Sequence, residues 1–193
     1  AMFYLVKNSP QDCRPYMRIS SDECKTWGDR VQIIDKVGYN VLNNDRVVQF
    51  KSGRIVVPVA ISNILRCYLS DDNGMSWRRG KEEVTGVDSD GERYVIQEPG
   101  LVPLSDGRIL MHCRTDQGCH HFTYSSDEGE TWSKLEPSAL IGPRTAAAIK
   151  RIPTTGDLLC LWNFGPEDKR SADMQYTIAV SNDEGKTWKK VYV

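Results

Sequence analysis

Four copies of one eight-residue motif limit what this chain can fold into. They occupy 20–27 (SSDECKTW), 70–77 (SDDNGMSW), 125–132 (SSDEGETW) and 181–188 (SNDEGKTW). Their tryptophans, at 27, 77, 132 and 188, are 50, 55 and 56 residues apart. Self-similarity at a fixed period marks an array of one supersecondary unit, and about fifty residues suits a four-stranded propeller blade. The motif itself reads as a hairpin turn. An Asp can accept backbone N–H bonds and a Gly two residues on can take positive φ. Thr-Trp then opens the next strand, with the indole free to cover the turn from its apolar side. Four unrelated hairpins would share turn chemistry, but not Ser, Asp and Trp at four regular stations.

The pattern S-x-D-x-G-x-T-W resembles the Asp-box of sialidases and related β-propellers. The resemblance implies that the box is structural and lies on the face opposite the active site. Its eight residues then locate blades, not chemistry.

Alternating segments fill the intervals between boxes. Residues 54–61 (RIVVPVAI), 108–114 (RILMHCR), 120–125 (HHFTYS), 157–163 (DLLCLWN) and 175–181 (QYTIAVS) read as strands, with Gly-containing turns at 51–53, 105–107 and 154–156. Almost no segment carries a helical period with caps, so the expected class is all-β. The whole chain, 1–193, is expected to form three complete blades preceded by the latter part of another. Propellers close with about 4–8 blades, and the sialidase resemblance implies six. The chain is therefore expected to be a fragment, or to close through a partner, as a homo-oligomer joined at open blade edges. Roughly 500 Å² of apolar surface per open blade face, at ~25 cal/mol/Å², gives ~12 kcal/mol of gross burial to drive this.

A net charge of −1 gives no basic footprint for nucleic acid, and no apolar run is long enough to span a membrane. The opening AMFYLVKNS lacks the charged leader and apolar stretch of a secretory signal. Six scattered cysteines, without CxxC, lean towards a reducing, cytoplasmic compartment. Cys113 and Cys119 flank a short turn, where a pair is close. His112, His120 and His121 show no zinc-site spacing, and adjacent residues on a strand point to opposite faces. No metal or cofactor is expected.

Strands alternate in direction, so the start of each innermost strand and the end of the second share one face, and the box turns lie on the other. Glu98, Arg114, Arg170, Asp12, Asp45 and Arg46 all fall on the face away from the boxes, around a channel mouth where a ligand would bind. The segment 97–114, with Gln97-Glu98-Pro99, Ser105-Asp106-Gly107 and Cys113-Arg114, resembles the sialidase segment in which a Glu precedes a strand ending in Arg. The resemblance implies that Glu98 polarises a Tyr nucleophile and that Arg114 and Arg170 grip a substrate carboxylate. It implies Asp12 as the acid/base, and it places the Tyr and the first Arg of the triad outside this chain. A sialoside carries a carboxylate at the reacting centre, which guanidinium groups hold bidentately. A Tyr nucleophile needs a neighbouring carboxylate to remove its proton.

Bland readings stand beside these. Glu98 and Arg114 form a bracing ion pair, Arg170 is a solvated residue in a charged loop, Asp12 belongs to a turn, and Asp45 and Arg46 pair at a strand end. The function expected is exo-sialidase-type retaining hydrolysis of a terminal acidic sugar, with the fragment itself inactive. The alternatives are a non-catalytic carbohydrate-binding or structural propeller, or a hydrolase or lyase of the same fold with another sugar specificity.

Overall fold

The computed structural model describes residues 1–165 and 175–192. Four antiparallel sheets follow one another along the chain. The first contains β1 (Met2–Ser9), β2 (Asp12–Arg18) and β3 (Val31–Gln32). The second contains β4 (Val48–Gln49), β5 (Ile55–Ile61), β6 (Ile64–Ser70) and β7 (Arg78–Arg79), and β8 (Val84–Thr85) also pairs with β6. The third is β9 (Ile96–Pro103), β10 (Ile109–Thr115), β11 (Cys119–Ser125) and β12 (Glu136–Ile141). The fourth is β13 (Ala148–Arg151), β14 (Leu158–Phe164), β15 (Gln175–Ser181) and β16 (Lys189–Tyr192). These are sialidase-like propeller blades, the first without an innermost strand among the described residues. Some outer strands are short, β3 being only Val31–Gln32 and β7 only Arg78–Arg79.

Three cores lie between successive sheets, as strands with both faces covered require. Met17, Ile34 and Leu42 meet Val57 and Val59 between the first and second sheets. Val56, Leu65 and Leu69 meet Ile96, Ile109 and Met111 between the second and third. Leu110 and Val102 meet Ile149, Leu158 and Trp162 between the third and fourth. Period-two alternation along β10 sends Ile109, Met111 and Cys113 one way and Leu110 the other. The face of the fourth sheet turned away from the third is uncovered among the described residues, and Leu159, Leu161, Tyr176 and Ile178 are exposed there. None of the six cysteines is in a disulfide.

The boxes are built alike. In the second, the Ser70 hydroxyl accepts from Gly74 N at 2.7 Å and donates to Asp72 at 2.8 Å. Asp72 in turn accepts from Ser76 N at 2.9 Å and from the Ser76 hydroxyl at 2.6 Å. The same bonds recur around Asp22, Asp127 and Asp183. Each later box packs back on the preceding interface: Trp77, Trp132 and Trp188 border the three cores in turn. The box glycines do the same. A Cβ on Gly74 would meet Met17 Cε at 2.3 Å, and one on Gly129 would meet Val56 Cγ1 at 3.2 Å. Cys24 holds the equivalent place in the first box at φ 67, exposed, with no sheet before it among the described residues. The close approach found at Gly74 and Gly129 is missing there.

Candidate functional site

The strand registers fix where polar residues stand relative to the boxes. Ile109 pairs with both Ser125 and Pro103, so these three mark the box end of the third sheet. Arg114 pairs with Gln97 at the opposite end. Between them the register slips: His112 faces Gly100 while Arg114 faces Gln97, so Glu98 and Pro99 together oppose Cys113. This is a β-bulge, a device that re-aims a side chain and gathers near functional sites. Glu98 sits in it at φ 55, a left-handed conformation that costs a non-glycine residue about 1–2 kcal/mol. Pro99 follows, without an N–H to restore the ladder.

The bulge brings Glu98 to Arg114, with Oε2 3.4 Å from Nε. The Arg114 guanidinium also donates to Gln97 Oε1 and, at 3.4 Å, to the Arg144 carbonyl. Glu98 and Arg114 line a cavity of about 320 Å³ with Tyr39, Val41, Asn63 and Gln97. Glu98 Oε2 is buried and accepts no hydrogen bond. A carboxylate oxygen left in that state is costly unless something else completes its bonding.

Asp12 is not part of this cavity. Its carboxylate is bidentate with Arg14, at 2.8 and 3.1 Å, and accepts from Asn8 at 2.9 Å. The Asn8 hydrogen bond and the Arg14 guanidinium hold its pKa below the usual carboxylate range. A general acid at neutral pH needs the opposite shift.

Asp45 and Arg46 are placed differently again. Asp45 is exposed and paired with Lys150 of the fourth sheet at 2.8 Å. Arg46 is buried deeper, where it donates to the Ala147 carbonyl at 2.6 Å and meets His112 Nε2 at 3.3 Å. One guanidinium thus ties the second, third and fourth sheets together. Because Arg can only donate, His112 Nε2 is the acceptor and the ring proton sits on Nδ1. Gly100 makes room for this contact: a Cβ there would lie 2.3 Å from His112 Nε2 and 2.5 Å from Arg46 Nη1. Burial, with the Arg46 charge beside it, pushes the His112 pKa well below its ordinary value. Arg46 acts as a cross-blade tie, and together with Asp45 it also lines a cavity of about 580 Å³.

Arg170 lies outside the described residues. Trp162 is core, 2% exposed, donating to the Ile141 carbonyl at 2.9 Å. Among the described residues no group of three or more His, Cys, Asp or Glu is arranged to hold a metal. Sequence reasoning missed Tyr39, Gln97 and Asn63 as cavity walls. Asn63 carried a usable signal, since Ser62 and Asn63, at φ 49 and 59, form the two-residue primed turn of a hairpin. Tyr39 lies in the irregular stretch before β4, which has no periodicity to read.

Successive antiparallel sheets, each with an Asp-box turn between two of its own strands, define the sialidase-like propeller class. The family model described as a BNR repeat-like domain matches residues 1–193, and the chain belongs to that family. Among solved structures, the chain is similar to a protein of unknown function from Dyadobacter fermentans, with TM-score 0.73, 19% identity, and 93% of this chain and 52% of that one covered. It is also similar to the NanB sialidase of Streptococcus pneumoniae, with TM-score 0.69, 19% identity and coverage of 92% and 28%. The Trypanosoma rangeli sialidase gives TM-score 0.69, 15% identity and coverage of 98% and 36%. The chain thus spans about half the length of the first of these proteins and less of the sialidases. No curated protein matches it in sequence.

Proposed function

We propose that this chain supplies part of a glycoside hydrolase site that acts, with retention, on a terminal acidic sugar of the sialoside type. The observation that carries this reading is the Glu98–Arg114 pair, presented on a strained bulge into a cavity at the end of the sheets away from the boxes. Arg114 offers a guanidinium to the sugar carboxylate. Glu98 takes the phenol proton of a Tyr nucleophile as its oxygen bonds to the anomeric carbon and the bond to the leaving oxygen breaks. A proton donor completes the leaving alcohol, and water then cleaves the sugar–Tyr bond, giving a proton back to that donor while Glu98 returns the phenol's own proton. The resemblance puts that Tyr and a further Arg outside residues 1–193. Arg170 remains a proposed second contact to the carboxylate.

One observation favours a non-catalytic binding propeller instead: Asp12 is paired with Arg14 away from the cavity, with a depressed pKa. One experiment tests the site and its division between this chain and residues beyond it. Residues 1–193 should bind free sialic acid weakly, as followed by NMR shifts of Arg114 and Gln97, and Arg114→Ala should abolish the shifts. A fluorogenic sialoside should not be turned over. Turnover that survives repurification would overturn the division of the site between this chain and residues beyond it. Shifts indifferent to Arg114→Ala would remove the site.

A further inference from the structure

Another cavity, also of about 580 Å³, opens between the outer parts of the second and third sheets. Its walls include Asp88, Tyr94, Gln117, His121, Lys134 and Glu136. The volume falls within the range of small-ligand sites, about 300–1,000 Å³. The turn from Arg114 to Cys119 separates it from the Glu98 cavity: Arg114 lines one side, Gln117 and Cys119 the other. That turn is held rigidly. Thr115 Oγ1 donates to the Cys119 carbonyl at 2.7 Å and accepts from Gln117 N at 3.0 Å, while Asp116 accepts from Val95 N at 3.1 Å.

The back wall is a hydrogen-bonded pair, with Tyr94 Oη 2.8 Å from His121 Nδ1 and the two rings edge to face at 5.2 Å. Burial raises the Tyr94 pKa to about 12 and lowers that of His121, so the phenol keeps its proton and the imidazole is neutral. The phenol therefore donates to Nδ1, which leaves the imidazole proton on Nε2. Among the described residues Nε2 has no hydrogen-bond partner, and His121 keeps 6% of its surface exposed. His121 lines the cavity, so this nitrogen is a pre-oriented neutral donor at its surface. Around it, Gln117 and Lys134 add donors, Asp88, Glu136 and the Gln117 amide add acceptors, and Tyr94 adds an aromatic ring. Alternating donors and acceptors beside a ring match the hydroxyl-studded surface of a sugar, not a uniform anion or an apolar ligand.

We propose that this crevice is a second saccharide-binding site, for an uncharged sugar unit, held by His121 Nε2–H and Gln117. It rests only on the carbohydrate part of the function proposed above and needs neither Glu98 nor catalysis. Lactose is a suitable probe because it has no carboxylate for Arg114 to grip. Titrated into the full chain, lactose should shift NMR signals of 117–121 and 134–136, equally in wild type and Glu98→Gln. His121→Phe keeps a ring but loses the donor, and should weaken binding about tenfold, the scale of one hydrogen bond. Gln117→Ala, in an exposed turn, should weaken it also and decides the matter if His121→Phe misfolds. Absence of shifts, shifts confined to the Glu98 cavity, or affinity unmoved by either substitution would overturn the site. Lactose shifts at the crevice with no sialic acid binding at Arg114 would sink the hydrolase reading and leave this one standing.

Discussion

The two ends of the sheets use polar residues in opposite ways. At the box end, four near-identical turns close their own hydrogen bonds within eight residues, Ser to Gly, Ser to Asp and Asp to Thr or Ser. These turns repeat because their chemistry is local. Away from the boxes no two blades agree, and buried polar atoms are left without hydrogen bonds: Asn43 Oδ1 and Glu98 Oε2, with His112 Nδ1 and His120 Nε2 deeper in the sheets. Native interiors tolerate few such atoms, and they concentrate where strain or a ligand explains them. The difference teaches that the repeat is the scaffold and the departures from it are the site.

Acid should separate the two regions most widely. The neutral His112 and His120 are buried, the first held well below an ordinary histidine and the second at about 4. Their stabilisation is complete above the unfolded pKa of about 6.5, and is lost as pH falls because the unfolded chain gains protons that the fold refuses. At pH 5 the loss is roughly 2 kcal/mol for His120, and His112 adds to it in the same direction. The box carboxylates Asp22, Asp72 and Asp183, at about 2 through hydrogen bonds from Thr or Ser, lose their contribution only between about 3.8 and 2. Denaturant melts from pH 7 to 3 should therefore show a first decline starting near 6.5, reduced by replacing both histidines to the smaller part that half-buried His121 contributes. A flat curve down to pH 4 would contradict the buried neutral pair.

Gly100→Ala tests the same centre sterically. The added methyl falls within 2.3–2.5 Å of the Arg46–His112 contact, against a ring and a guanidinium held from three sheets. Overpacking of this kind costs about 1–3 kcal/mol, and this site belongs at the upper end. The same substitution at Gly107, whose Cβ would meet nothing within 4 Å, costs only its positive φ of 88. Urea titrations of the two variants should rank Gly100→Ala as the worse; the reverse order would remove Arg46 as a tie between blades.

Legibility in the sequence follows this division. The boxes and the strands between them could be read because their chemistry is local and periodic. The chain order alone put Glu98 and Arg114 at one end of the third sheet, since strand direction alternates. The bulge that aims Glu98 was invisible, for Gln-Glu-Pro-Gly carries no period. Arg46 was set at the ligand-facing end, with a strand-end pair to Asp45 as the bland reading, and its partners, His112 and the Ala147 carbonyl, lie 66 and 101 residues away. Contacts of that separation leave no mark on a local pattern. Asp12 fared likewise, since its pairing with Arg14 depends on how β2 projects alternate residues.

The strain at Glu98 can be measured apart from its chemistry. Both Glu98→Gly and Glu98→Ala remove the carboxylate and its contact with Arg114, so their difference reports the backbone alone. At φ 55 glycine is unstrained and alanine is not, so the Gly variant should be the more stable by about 1 kcal/mol. Equal stabilities would mean that the bulge relaxes once the carboxylate is gone, and that its conformation is imposed by the side chain.

Cys24→Gly carries the comparison to the one box without a glycine. Cys24 takes φ 67 where its counterparts Gly74, Gly129 and Gly185 take 86, 90 and 85. Its backbone is bonded as theirs are, with N donating to the Ser20 hydroxyl at 2.9 Å. Among the described residues no sheet precedes it, and the Cys24 side chain is exposed, so only the left-handed backbone costs stability. Glycine at 24 removes that strain but also gives the unfolded chain more freedom, which offsets part of the gain. The net should be a stabilisation of about 0.5–1 kcal/mol, the smallest effect expected here. It should register as a rise in urea midpoint without a change in slope. A destabilised variant would show that the Cys24 side chain makes a contact of its own, and that the first box differs from the others by more than a missing neighbour.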